Sequence, residues 1–202
     1  MQPVRTAQIT RNTKETQIEL SLNIDGKADY SIATGIPFFD HMLDLLAKHA
    51  LFDLKIKAAG DIDVDYHHLV EDVGIVLGEA LNKALGDRKG INRYGFWVVP
   101  MDEAQAQADV CLDLGGRPYF VYRVEHEQKY IRDFDVTIFK HFWRSFCDSA
   151  KMNLHIELKF GEDLHHCIEA IFKAVARALR VACDSDPRAL DLLPSSKGRI
   201  GA

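Results

Sequence analysis

Residues 37–85 read PFFDHMLDLLAKHALFDLKIKAAGDIDVDYHHLVEDVGIVLGEALNKAL, and residues 136–182 read VTIFKHFWRSFCDSAKMNLHIELKFGEDLHHCIEAIFKAVARALRVA. The two stretches pass through the same stages. A histidine, His41 or His141, precedes a segment whose apolar residues recur at spacings of three and four, which predicts helix over 42–49 and 142–150. An alternating run follows, Phe52, Leu54, Ile56, Ala58 in the first and Met152, Leu154, Ile156, Leu158 in the second, which predicts a strand with one buried face. An acidic turn comes next, GDIDVDY or GEDL. Each stretch closes on His-His-x-x-Glu opening an apolar helix, over 73–85 and 168–182.

Working outward, Ile18, Leu20, Leu22 and Ile24 alternate ahead of the first stretch. Val110, Leu112, Leu114 and Phe120, Tyr122, Val124 precede the second, and the turn Gly115-Gly116-Arg117-Pro118 between them predicts that they pair directly. The expectation is a single α+β domain over 1–202, internally duplicated over approximately 1–92 and 93–190, with each sheet covered by helices on one face.

Composition narrows the partners. A formal net charge of -5 excludes a broad nucleic-acid surface, so any anion site must come from a few placed cations. Cys111, Cys147, Cys167 and Cys183 are scattered without a CxxC pair, which points to a reducing compartment. The opening residues are polar and no apolar run reaches the length of a membrane span, so a cytoplasmic protein without membrane contact is expected.

Six of the nine histidines fall in the repeated stretches: His41, His67, His68, His141, His165 and His166. Glu71 and Glu169 stand four residues beyond His67 and His165, and such residues share a helix face, so each pair can address one ion. Adjacent residues diverge by about 100° around a helix, so His67 and His68 do not serve one ion from one helix. Eight potential ligands of this kind imply two metals. Imidazole and carboxylate without thiolate suit Mn, Fe, Co, Ni or Zn. Four protein ligands would saturate tetrahedral zinc, whereas an octahedral ion keeps positions open for substrate, which favours manganese. His49, His126 and His155 are read as ordinary structural or surface residues, and Cys167 as core packing. Asp72 is read either as support for the His67–Glu71 pair or as an anion favouring the helix N-terminus.

These residues resemble the imidazoleglycerol-phosphate dehydratase family, the lyases of histidine biosynthesis. The matching stretches are TKET (13–16), GIPFFDHML (35–43), HHLVEDVGIVLGEAL (67–81), KGINRYG (89–95), PMDEA (100–104), GGRPY (115–119), HHCIEA (165–170) and PSSKG (194–198). Leu69 stands where the family often carries Thr. The resemblance implies duplicated units of the ribosomal-protein-S5-domain-2 type, with two sheets flanking a layer of four helices. It implies trimers packed into a homo-24-mer with sites completed between subunits. It also implies two Mn2+ per active site, one held by His41, His68, His165 and Glu169, the other by His67, Glu71, His141 and His166.

The reaction implied is dehydration of D-erythro-imidazoleglycerol phosphate to imidazole-acetol phosphate. Its difficulty is that the carbon-bound proton lies beside an imidazole ring with no carbonyl to acidify it. Two metals on the two ring nitrogens would stabilise an imidazolate, which expels the hydroxyl through a diazafulvene-like intermediate. By resemblance Glu15 lies at the substrate and is the acid/base group, with Glu71 a ligand able to shuttle a proton. Arg93, Arg117, Ser195, Ser196 and Lys197 are the expected phosphate contacts, Arg for its fork of donors and Lys as a point charge. Asp102 and Glu103 in PMDEA are given no definite role. A hydrolase using a metal-activated hydroxide would be richer in Asp than this histidine-dominated set.

Overall fold

The computed structural model describes residues 4–101 and 106–201. Asp102 and Glu103 therefore lie outside the described residues. The first half runs β1 (Thr6–Asn12), β2 (Thr16–Asn23), β3 (Tyr30–Ala33), α1 (Pro37–Ala50), β4 (Asp53–Gly60), α2 (His67–Leu85). The second runs β5 (Tyr94–Met101), β6 (Ala106–Asp113), β7 (Tyr119–Arg123), the short pair β8 (Tyr130–Ile131) and β9 (Phe134–Asp135), a 3-10 turn (Val136–Ile138), α3 (Phe139–Ala150), β10 (Asn153–Phe160) and α4 (Leu164–Cys183).

The two four-stranded sheets have matching topologies, β1-β2-β4-β3 and β5-β6-β10-β7, and in each the last pairing is parallel while the others are antiparallel. This corrects one expectation: β6 and β7 do not pair across the 115–118 turn, because β10 lies between them and pairs with both. The chain leaves β7, builds α3, and returns to bury Leu154 and Ile156 at the centre of the sheet. A turn signal between two strands reports that the chain bends; it does not report which strand fills the gap.

Local sequence explains the helix ends. Pro37 sits at the first turn of α1, where its missing N–H costs nothing. Helices α1 and α3 both end on a left-handed residue, Leu51 (φ 57°) and Lys151 (φ 55°). The next amides, of Phe52 and Met152, donate to Ala47 and Cys147 carbonyls five residues back. Such a terminus turns the chain sharply into the following strand and satisfies carbonyls the helix leaves free.

The helices lie between the sheets. Helix α2 packs on β1, β2 and β4, and α4 on β5, β6 and β10. Across the middle, α2 packs on α3 and α1 on α4, so each helix pair joins the two halves. An added Cβ at Gly74 would lie 2.6 Å from the Phe142 carbonyl oxygen, and one at Gly78 2.6 Å from that of Phe146. Advancing four residues on α2 thus advances four on α3, so these helices run parallel and nearly backbone to backbone. The aromatic centre, with Phe39 against Phe142 at 5.4 Å and Trp143 against Phe172 at 4.6 Å, unites α1, α3 and α4. Among the described residues no helix is long and apolar enough to cross a membrane.

Candidate metal centre

Each strand-to-helix return brings a helix N-terminus, with its histidines, to the same end of the helix layer. There the nominated ligands form two groups among the described residues, His41, His165, Glu169 and His67, Glu71, His141, with the ligand atoms of each group within 4.8 Å of one another. In the first, His41 Nε2 lies 2.8 Å and His165 Nε2 3.2 Å from the same oxygen, Glu169 Oε1. In the second, His67 Nε2 lies 3.0 Å from Glu71 Oε2, and the His67 and His141 rings are 4.6 Å apart. Both groups cross the halves: α1 meets α4, and α2 meets α3. Two imidazoles and a carboxylate converging on a point, without thiolate, fit a divalent first-row ion.

The two carboxylates are held differently. Lys173 Nζ donates to Glu169 Oε2 at 2.6 Å, leaving Oε1 to face the imidazoles. Burial opposes the charge on Glu169, yet Lys173, His41 and His165 together hold its pKa down to about 2. Glu71 instead accepts from the Ser145 hydroxyl at 3.2 Å. Lys173 and Ser145 were absent from the sequence reading. Lys173 was detectable, since it continues the Glu169 face by four residues; Ser145 was not, since it comes from another helix.

His68 and His166 stand apart from both groups. His68 Nδ1 lies 3.0 Å from Asp61 Oδ2 and 4.0 Å from Glu15 Oε2, and the Asp61 contact pushes its pKa up. Asp163 caps α4 by accepting from the His166 backbone amide at 2.9 Å. Within each chain, then, three of the four residues expected for each ion are brought together and the fourth is not.

Glu15 is exposed at the turn between β1 and β2, at this same end of the molecule. Thr13 Oγ1 accepts from the amides of Glu15 and Thr16 at 3.1 and 2.9 Å. Thr16 Oγ1 donates to Asp72 Oδ2 at 2.5 Å, and Arg11 reaches Asp72 Oδ1 at 3.0 Å. Asp72 therefore takes neither role read for it from the sequence: it clamps the Glu15 turn onto α2.

The expected phosphate contacts gather at the far end. The Arg93 amide donates to the Ala182 carbonyl, near the end of α4, and the Gly201 amide to the Gly115 carbonyl. Arg93 forks onto Asp113, with Nε at 2.6 Å and a second nitrogen at 3.0 Å, and donates to the Pro194 carbonyl at 2.6 Å. Asp113 raises the Arg93 pKa further. Arg117, Ser196 and Lys197 are exposed, while Ser195 Oγ donates to the Arg199 carbonyl at 2.7 Å. At 1.5 Å per residue, the length of α4 separates this corner from His165 by roughly 25 Å.

The three remaining histidines lie outside both groups. Burial lowers the His49 pKa, helped by Lys173 and Arg177; His126 Nε2 is 3.2 Å from the Glu162 carbonyl; His155 is exposed beside Tyr119. Cys167 is buried against Met101 and Leu158.

The family model described as imidazoleglycerol-phosphate dehydratase matches residues 34–179. An imidazoleglycerol-phosphate dehydratase of Citrifermentans bemidjiense is 55% identical over 196 residues, covering 97% of this chain and 99% of that protein. The crystal structure of the Staphylococcus aureus imidazoleglycerol-phosphate dehydratase superimposes with a TM-score of 0.81 at 36% identity, covering 90% of this chain and 99% of that one. The Pyrococcus furiosus enzyme, solved in complex with (S)-C348, gives 0.80 at 32% identity, covering 95% of this chain and 100% of that one. With the helix ends, the crossed ligand groups and these likenesses together, the chain belongs to the imidazoleglycerol-phosphate dehydratase family.

Proposed function

We propose that this chain is a hydro-lyase of histidine biosynthesis that dehydrates D-erythro-imidazoleglycerol phosphate to imidazole-acetol phosphate, with two Mn2+ per active site. The observation that carries this is the pair of crossed groups, each with two imidazoles and one carboxylate drawn from both halves. His41, His165 and Glu169 would hold one ion and His67, Glu71 and His141 the other, completed by His68 and His166 respectively. Bound ions supply Lewis-acid stabilisation of negative charge on the substrate ring.

The chain's own residues supply the rest. Glu15, exposed on a clamped turn, accepts the carbon-bound proton, and the hydroxyl leaves after it. Lys173 keeps Glu169 ionised and turned toward its imidazoles. Arg93, Arg117, Ser195, Ser196 and Lys197 hold the phosphate.

A substrate of this size does not span the roughly 25 Å between those cations and the metal groups of the same chain. The two sets therefore act together only across a boundary between copies. This supports an oligomer with sites shared between copies; its size, 24 subunits built from trimers, and its cytoplasmic location are what the family resemblance implies. His68 and His166, apart from their own chain's groups, fit the same arrangement.

Turnover of imidazoleglycerol phosphate with added Mn2+, in wild type and in Glu15→Gln, tests the proposal. Activity in the wild type and its loss in Glu15→Gln are expected. An inactive Mn2+-loaded wild type overturns the function; an active Glu15→Gln overturns only the role of Glu15.

A further inference from the structure

We infer that Asp61 is a positioning residue that presents His68 to metal through its Nε2. The inference rests on the metal reading above and concerns a residue to which that reading gives no part.

Asp61 Oδ2 lies 3.0 Å from His68 Nδ1, within hydrogen-bond range for an Nδ1–H donor. A carboxylate acceptor at that nitrogen fixes the proton there, leaves the Nε2 lone pair bare, and makes it a stronger donor to metal. Asp61 is itself fixed. Its amide donates to the Glu15 carbonyl at 3.1 Å, and its second oxygen, Oδ1, is buried without a hydrogen-bond partner. The same geometry settles a competition. Glu15 Oε2 is 4.0 Å from His68 Nδ1, beyond hydrogen-bond range, so the nearer Asp61 satisfies the imidazole and leaves the Glu15 carboxylate free.

The corresponding histidine of the second half lacks this device. His166 Nδ1 is buried without a hydrogen bond, and the nearest oxygen of Asp163 is 4.0 Å away. The two ions would therefore receive unlike fourth ligands, one imidazole backed by a carboxylate and one not.

Asp61→Asn separates orientation from bulk. An amide of the same shape puts against His68 Nδ1 either its NH2 group, driving the proton onto Nε2 and blocking ligation, or its oxygen, a neutral acceptor that holds the Nδ1 proton less strongly than the carboxylate does. Mn2+ titration by calorimetry, with thermal unfolding of the metal-free protein alongside, reads the outcome. Loss of such a supporting contact weakens a site by about 10–100-fold, so one of two Mn2+ sites per chain is expected to weaken by that factor in Asp61→Asn. Asp163→Asn, which retains a capping oxygen, is expected to leave both sites unchanged. Adding Asp61→Asn to His68→Ala is expected to weaken binding no further than His68→Ala alone. Unchanged affinities in Asp61→Asn, or an additional loss in the double variant, overturn the inference. A wild type that binds no Mn2+ overturns the metal reading instead.

Discussion

His41 and Glu169 stand 128 residues apart in the chain and 2.8 Å apart in the fold. In the other group His67 and His141 stand ring against ring at 4.6 Å, the counterpart of His41 and His165 at 5.6 Å. If each group holds one ion, His41→Ala and His141→Ala each lose one bound Mn2+ per chain and retain the other. Metal analysis after gel filtration checks this; loss of both ions from either variant would mean that the groups form one indivisible site.

The separation of the two residue sets makes mixing informative. His141→Ala and Arg117→Ala are each expected to be inactive alone. Unfolded together and refolded at equal amounts, they should regain about a quarter of wild-type activity, since random pairing across a copy-to-copy boundary restores that share of sites. A site contained in one chain would regain none.

The glycines of α2 tolerate no side chain. In Gly78→Ala the new Cβ would lie 2.6 Å from the Phe146 carbonyl oxygen and 2.9 Å from the Ala150 amide nitrogen. Alanine is the better helix former, but overpacking against backbone outweighs that gain, and a net loss of about 1–3 kcal/mol is expected. Urea unfolding of the metal-free protein measures it, and a stabilised variant would contradict the close approach.

Thr16 is fully buried and its hydroxyl serves Asp72. Thr16→Val keeps the shape and strands a buried carboxylate oxygen, at a cost of about 1–3 kcal/mol. Turnover should fall as well, because the turn carrying Glu15 loosens, while Mn2+ content stays at the wild-type value. Unchanged kcat would separate the clamp from catalysis.

Thiol chemistry tests the core. Burial pushes the pKa of Cys147 and Cys183 up to about 12 and that of Cys167 up to about 11. At mildly alkaline pH these remain protonated and enclosed, hence inert. Only Cys111 is exposed. A chromogenic thiol reagent is therefore expected to titrate no more than one cysteine per native chain and all four after denaturation.

Local periodicity made much of this protein legible in its sequence. The i, i+4 placement of His67 with Glu71 and His165 with Glu169 follows from helix geometry alone, and the inward face of β2 at Ile18, Leu20 and Leu22 from the alternation of a strand. The repeated wording also announced two equivalent halves before any contact was known. Long-range burial decided what remained. It set β10 between β6 and β7, laid α1 along α4 and α2 along α3, and so determined which histidine meets which carboxylate. It brought Asp61 to His68, Ser145 to Glu71 and Asp72 to Thr16, from segments whose spacing carries no sign of the meeting. It also sent the 194–198 tail to the end of the helices opposite the metal groups. A residue's face on its own element is a property of a few neighbouring positions; the element opposite that face is chosen by the burial of the whole core.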